Sequence, residues 1–458
     1  MDLVVLGNST AAIAAIESFR QIDKTSTITL VSKEAWTAPY SRPLIAEYLS
    51  GEKTYEEILY RPETFYKEKK ISKLDGLEAV SIDSENQVVH LSNGQNISYD
   101  RLLIATGSTP TCPNIPGLQR EGVYSFWTLN DAQQIANRAK RAETAVVVGA
   151  GLVGLSAAHA LSTRGLKVVV VELLNQILTQ NLDTTAARIV QRYMEKKELI
   201  VLTGREIQEI RGDEKGRGVT GVILDDGRQI PSTLVVMCTG VRPAINFLKD
   251  SGIRTASGVL VDHYLRTSVP NVYAAGDAAQ PYDLVYRENR MVANLGNARE
   301  QGRIAGMNLA GVKREYKGGI AMVAMRYFGI PWISIGAISC PRASCHEIVG
   351  LHSEKEGIYE KLLIKDGDGT LLGAILVGDI TQGGILTNLI KNGTILGTAA
   401  EYLAERGQFF AHLRHKLFQS EMEGPPGYVV WRKTIGMEKK YKKKIDEERW
   451  RKKELGEA

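Results

Sequence analysis

Residues 145–171 read AVVVGAGLVGLSAAHALSTRGLKVVVV, and this stretch decides the fold. Ala145 to Val148 is a short apolar run of the kind buried in a parallel sheet. Gly149, Gly151 and Gly154 follow, then an Ala-rich helical segment ending near Arg164-Gly165, then the β-branched Lys167 to Val171. Strand, glycine turn, helix and strand in this order predict a dinucleotide-binding βαβ unit. Gly149 permits the tight turn, Gly151 lets the backbone approach a pyrophosphate, and Gly154 allows close helix–strand packing. The helix N-terminus behind them offers unpaired N–H groups and the positive end of its dipole to the phosphates. Glu172 closes the second strand, where an acid accepts hydrogen bonds from a ribose 2′-hydroxyl and repels a 2′-phosphate. Leu173, Leu174 and Asn175 include no Arg to hold such a phosphate, which favours NADH over NADPH.

The pattern also stands at the start of the chain. Leu3 to Leu6 (LVVL) leads into Gly7-Asn8-Ser9-Thr10-Ala11-Ala12; Thr10 to Arg20 has helical spacing, and Thr27 to Val31 (TITLV) predicts the next strand. This glycine motif is degenerate. Ser9 stands where the second Gly belongs and Ala12 replaces the third, a change the fingerprint tolerates. Ser32 and Glu34 are both candidates for ribose contact, and spacing does not choose between them. Two such units imply two nucleotide-sized sites. From about residue 316 the texture changes: Trp332 to Ile338, Lys361 to Lys365 and Leu371 to Val377 predict strands, with a helix near Gly384 to Asn392. The expected class is therefore α/β, with two Rossmann-like dinucleotide-binding domains and a C-terminal α+β domain.

Length and composition bound the alternatives. A chain of 458 residues is too long for one ordinary core, and 43% hydrophobic with 24% charged residues is a globular balance. Four cysteines, Cys112, Cys238, Cys340 and Cys345, are too few and too scattered for a secreted disulfide scaffold, and structural roles are expected for all four. No leader pattern opens the chain and no apolar run is long enough to span a membrane, so a cytoplasmic location is expected. The net charge of +5 is carried by residues 438–453, EKKYKKKIDEERWRKK, with nine basic and four acidic side chains. The rest of the chain is neutral, which argues against a nucleic-acid-binding body. The histidines form no metal-binding arrangement, and no Gly-x-Ser-x-Gly elbow or Walker motif occurs.

Three further segments complete an ordered set: Ala105-Thr106-Gly107 before Ser108 and Pro110, Thr239-Gly240-Val241-Arg242-Pro243, and Ala274-Ala275-Gly276-Asp277. With these the chain resembles the FAD-dependent pyridine nucleotide–disulfide oxidoreductase superfamily over residues 1 to about 310. The resemblance implies an FAD domain made of residues 1–115 and 243–315, an NAD domain of 116–242, a C-terminal interface domain of 316–420 and a basic tail of 421–458. It also implies that the Ala105-Thr106-Gly107 segment closes the FAD domain and that Asp277 binds the ribityl chain. A carboxylate there would be a strong charge-assisted acceptor, and a helix after Gly276 is expected to direct its dipole at the flavin. Asn297-Ala298 with Gln301-Gly302 resembles the helix that follows this turn.

Departures from the family sharpen the reading. Residues 35–52, AWTAPYSRPLIAEYLSGE, hold no Cys where disulfide reductases carry theirs. The segment Pro39 to Leu44 instead resembles the Cys-less branch, which includes rubredoxin and ferredoxin reductases, NADH oxidase-like proteins and the flavin part of nitrite reductases; Arg42 is its candidate flavin neighbour. Many relatives have Glu near the nicotinamide at the second position after the glycine motif, where this chain has Ser156. His159, on the same helix, is expected to pack rather than to catalyse. The expected activity is exchange of hydride between NADH and FAD, and of electrons with an iron–sulfur carrier of the ferredoxin or rubredoxin kind, in a direction left open. The basic tail reads as a solvated helix or, alternatively, as the docking site of that carrier, and the chain would form a homodimer or join a larger redox complex. The alternatives are an NADH oxidase making hydrogen peroxide and a non-catalytic flavin subunit.

Overall fold

The computed structural model describes residues 1–213, 218–340, 345–353 and 355–396. The basic tail, and with it the end of the expected C-terminal domain, lies outside the described residues. Chain order gives β1 (Asp2–Leu6), α1 (Thr10–Ile22), β2 (Thr27–Ser32), α2 (Ile45–Ser50), β3 (Ser72–Asp75) and β4 (Arg101–Ile104). Next come β5 (Val123–Ser125), α3 (Leu129–Ala139), β6 (Thr144–Val148), α4 (Leu152–Thr163), β7 (Lys167–Glu172), α5 (Thr184–Glu195), β8 (Ile200–Thr203) and β9 (Leu234–Met237). The chain then forms β10 (Val272–Ala274) and α6 (Leu295–Leu309).

Two five-stranded parallel sheets result, in the orders β10-β4-β1-β2-β3 and β8-β7-β6-β9-β5. Their strands are Val-, Leu- and Ile-rich because both faces are covered, by helices and by the small antiparallel sheets 79–98 and 207–231. Val5, Leu30, Leu103, Val147, Val170 and Val236 are all fully buried. The sheets correspond strand for strand: β1 to β6, β2 to β7, β3 to β8, β4 to β9 and β10 to β5. Small antiparallel sheets (79–98 and 207–231) are inserted between β3 and β4 and between β8 and β9. The chain crosses between the two halves at Ser108–Pro110 and Val241–Pro243, which pair antiparallel.

A third, antiparallel sheet follows, from β11 (Met322–Tyr327), β12 (Ile330–Gly336), β13 (Cys345–Ser353), β14 (Ile358–Lys365) and β15 (Leu371–Val377), in the order β11-β12-β15-β14-β13. Helix α7 (Gly383–Lys391) packs on β12 and β15. Sequence periodicity predicts β12, β14, β15 and α7; β11, with alternating exposure at an edge, and β13 escape it. Cys340 and Cys345 form a disulfide within this domain, while Cys112 and Cys238 are free. Among the described residues no helix is long and apolar enough to cross a membrane.

Candidate functional site

The two glycine turns have the same construction. Gly7 has φ +109° and donates its amide to Val31 at 2.9 Å; Gly149 has φ +101° and donates to Val171 at 2.8 Å. A Cβ on Gly7 would lie 2.1 Å from the carbonyl oxygen of Ala105, and one on Gly149 would lie 2.4 Å from that of Cys238. Only glycine satisfies both the left-handed φ and the close approach. Gly154 meets the expected packing demand, since a Cβ there would stand 2.0 Å from the Gly149 carbonyl oxygen. Its counterpart Ala12 is fully buried. At Gly151 the space is open, as backbone approach of a phosphate requires.

Helix capping separates these turns from the starts of α3, α5 and α6, while α2 and α7, which follow no glycine turn, also lack a side-chain cap. Ser9 and Gly151 are the N-caps of α1 and α4, both extended, and neither helix has a side-chain cap. By contrast, Thr128, Asp183 and Asn294 cap α3, α5 and α6 through their side chains. Uncapped first-turn N–H groups at a glycine turn are what an anion can satisfy.

The segments after β4 and β9 interlock across the domain crossing. Thr106 Oγ1 donates to the Ala244 carbonyl at 2.8 Å, and Thr239 Oγ1 donates to the Thr111 carbonyl at 2.5 Å. The backbone repeats the exchange: Ala244 donates to Gly107 and Thr111 to Gly240, each at 2.9 Å. Thr106 therefore spends its hydroxyl on tying together the two segments at the domain crossing, a role its place in the motif does not reveal.

Arg42 connects the halves on the other side. Its Nη2 lies 2.6 Å from Glu34 Oε1, its Nη1 donates to the Trp127 carbonyl at 2.5 Å, and its guanidinium stands 5.4 Å from the Trp127 ring. Burial alone would lower its pKa, but Tyr40 and Glu34 together hold it above the ordinary arginine value. Tyr40 donates to Glu34 Oε2 at 2.5 Å and accepts from the Leu129 amide at 3.1 Å, and burial pushes its pKa up. Both oxygens of Glu34 are thus engaged within the protein. Ser32, the other ribose candidate, is buried and donates to the Glu34 carbonyl at 2.7 Å.

Asp277 is the middle residue of a single 3₁₀ turn, Gly276–Ala278, after β10. The turn runs straight into a short strand, and the helix expected at Asn297-Ala298 and Gln301-Gly302 is α6, which begins at Leu295. One turn is too short to build a macrodipole. Helix α6 reaches back instead through Gln301, whose Oε1 accepts the Gly276 amide at 2.8 Å. Burial raises the Asp277 carboxyl, while the Ser108 hydroxyl, 3.4 Å away, and the Arg42 charge lower it in part. The carboxyl is short of donors, and sugar-alcohol hydroxyls would supply them.

In the second half, Glu172 accepts from the Ala150 amide at 2.6 Å and from the Leu174 amide at 2.9 Å. It braces the glycine turn from the strand end, beside the largely exposed Leu173 and Leu174. A cavity of about 330 Å³ adjoins this end, lined by Asn175, Gln176 and, from α5, Arg188 and Arg192. Folding brings these arginines beside Asn175, although neither is near it in sequence. His159 packs between the Tyr327 and Phe328 rings at 4.9 and 5.0 Å, and burial lowers its pKa. The expected packing role fits this geometry.

Comparison with known proteins gives this geometry its context. The family model for pyridine nucleotide-disulphide oxidoreductases matches residues 1–302, and that for the rubredoxin NAD+ reductase C-terminal domain matches 322–394. The chain is 31% identical over 395 residues to the NADH-dependent phenylglyoxylate dehydrogenase subunit epsilon of Aromatoleum evansii, covering 86% of this chain and 92% of that one. It is 32% identical to the assimilatory nitrate reductase electron transfer subunit of Bacillus subtilis, covering 86% of this chain but only half, 50%, of that protein. A ferredoxin reductase from Rhodopseudomonas palustris superposes with a TM-score of 0.81 at 25% identity, covering 90% of this chain and 99% of that one. The chain belongs to the pyridine nucleotide-disulphide oxidoreductase family and is an NAD(H)-dependent flavin oxidoreductase, with FAD and NAD as its cofactors.

Proposed function

We propose that the chain exchanges hydride between NAD(H) and FAD, and single electrons between FAD and an iron–sulfur carrier. FAD would lie on the first glycine turn, with Gly7, Ser9 and Ala12 at its pyrophosphate and Ser32 and Glu34 at the strand end toward its ribose. Ala105, Thr106 and Gly107 would form the floor, and Gly276 and Asp277 would hold the ribityl chain. NAD would lie on the second turn, held by Gly149, Gly151, Gly154 and Glu172, with Gly240 below it. The observation that carries this reading is the matched pair of uncapped glycine turns, joined back to back at Ser108–Pro110 and Val241–Pro243.

Bound flavin supplies the chemistry: it takes two electrons as hydride and passes them on one at a time. The protein's part is positioning, since hydride transfer between stacked rings needs no acid or base from a side chain. Arg42, fixed by Glu34 and Trp127, places a permanent cation between the halves, within electrostatic reach of Asp277. Residues 35–52 hold no thiol to divert electrons into a disulfide relay.

An iron–sulfur partner is supported by the match to the rubredoxin NAD+ reductase C-terminal domain and by the likeness to a ferredoxin reductase. The relative from Aromatoleum evansii is named as a subunit, which supports a partner inside a larger assembly. The lysine-rich segment 438–453 would attract an acidic carrier, raising encounter rate more than affinity. The test is anaerobic titration with NADH, followed by mixing of the reduced protein with oxidised ferredoxin, oxidised rubredoxin or oxygen. Flavin bleaching and faster reoxidation by an iron–sulfur protein are expected. Reoxidation at turnover rate by oxygen alone would make the chain an oxidase, and absence of bleaching would leave it a non-catalytic subunit.

A further inference from the structure

Helix α6 lies against α1 more closely than side chains of ordinary size allow. A Cβ on Gly302 would stand 2.1 Å from the Ala11 carbonyl oxygen, and one on Gly306 would stand 2.1 Å from that of Ala15. Residues four apart share one face of a helix, so the two glycines let the backbones touch over a full turn. Ser18 Oγ donates to the Arg303 carbonyl at 2.8 Å and pins the contact. At the start of α6, the side-chain amides of Asn294 and Asn297 donate to the Ile320 carbonyl at 3.1 and 3.0 Å. The helix is therefore fixed in place and in rotation against α1, whose N-terminus carries the first glycine turn.

This fixed helix presents Gln301, which is 2% exposed, to the turn after β10. Gln301 Oε1 accepts the Gly276 amide at 2.8 Å, and its Nε2 donates to the buried Tyr316 hydroxyl at 3.4 Å. Gly276 has φ +76° and is wedged between the two helices: a Cβ there would lie 3.0 Å from Ala11 Cβ and 3.8 Å from Ala298 Cβ. The next residue, Asp277, is held loosely by its side chain, with the Ser108 hydroxyl 3.4 Å away. Its direction is therefore set by the backbone of the turn, and that backbone is held by Gln301. We propose that Gln301 is a positioning residue for the flavin. Without touching the cofactor, it locks the Gly276 turn so that the Asp277 carboxyl meets the ribityl hydroxyls at a fixed distance from the pyrophosphate end of α1. The proposal rests on the placement of FAD given above.

The experiment follows FAD release from the flavin-loaded protein, read as the rise in flavin fluorescence after dilution, in the wild type and four variants. Gln301→Ala removes the bond and leaves a cavity, whereas Gln301→Met removes the bond and fills the space. An amide left buried and unpaired is costly, so both should release FAD roughly tenfold faster than the wild type. Asp277→Asn should also release it roughly tenfold faster or more. The double variant Asp277→Asn with Gln301→Met should be at most about threefold faster than Asp277→Asn alone, because residues acting through one contact do not add. A Gln301→Met protein that keeps its flavin like the wild type overturns the proposal, whatever Gln301→Ala does, because the residue then serves packing and not the turn. Multiplied effects in the double variant overturn it too, since Gln301 would then act apart from Asp277. Wild-type release from Asp277→Asn overturns the ribityl placement itself, and the role of Gln301 with it.

Discussion

The two dinucleotide-binding halves have one backbone plan and treat their polar groups differently. In both, a glycine at the end of the first strand touches the carbonyl of a residue on the neighbouring strand, Ala105 in one and Cys238 in the other. In the first half the acid beyond the second strand, Glu34, is paired with Arg42 and Tyr40. In the second half Glu172 meets only backbone amides, beside exposed leucines. The first half is closed by side chains that reach toward the second; the second stays open at the end of β7. A resident cofactor suits the closed arrangement and an exchanging one suits the open arrangement.

Substitution of the turn glycines gives the largest expected effect and could break the comparison. Gly7→Ala and Gly149→Ala should each cost about 3 kcal/mol or more, since each places a Cβ against a carbonyl at a strained φ. Gly7→Ala should lose flavin, whereas Gly149→Ala should keep it and lose reduction by NADH. Flavin-to-protein ratio and anaerobic reduction measure the two effects. Equal flavin loss in both variants would mean that the halves are not separate sites.

Asp277→Asn should weaken flavin binding roughly tenfold or more by removing a charged acceptor, yet raise the unfolding midpoint of the flavin-free protein. The sign follows from the raised carboxyl. Asp277 has no effect on stability where it is protonated in both states, and it penalises the fold as pH rises from the unfolded carboxyl pKa through the higher folded one. Urea midpoints of wild type and variant across that range should converge at acid pH and separate above it.

The paired acids sharpen the contrast further. Glu34→Ala leaves Arg42 and the Tyr40 hydroxyl without their common acceptor and should cost about 1–3 kcal/mol. Glu172→Ala frees only two amides that water or ligand can reach, so it should cost about 1 kcal/mol or less. Its effect should appear as a smaller preference for NADH over NADPH, read from the ratio of the two kcat/KM values. Ser9→Gly should change stability least, by a few tenths of a kcal/mol, because the Ser9 side chain makes no cap hydrogen bond.

Much of this was legible along the chain. Both glycine turns, their strands and helices, and the Thr-Gly segments follow from local patterns. The helix that follows the Gly276 turn was legible at Asn297-Ala298 and Gln301-Gly302 and is α6, but its start at Leu295 and the reach of Gln301 back to the Gly276 amide were not. Strands β11 and β13 were missed because both are edge strands: β11 alternates in exposure but carries Met and Ala on its exposed face, and β13 borders a disulfide. Arg42 stood out in its motif, but Glu34, Tyr40 and Trp127 as its partners did not.

By itself, the sequence determined the two phosphate-binding turns, the absence of cysteine between residues 35 and 52, and the order of the domains. These depend on φ, on steric volume and on periodicity, which neighbouring residues set. Tertiary structure alone decided which hydroxyls and carboxylates remain available. Thr106 is spent on Ala244, and Glu34 on Arg42 and Tyr40, because hydrogen-bond partners are allotted only when the segments that carry them are brought together.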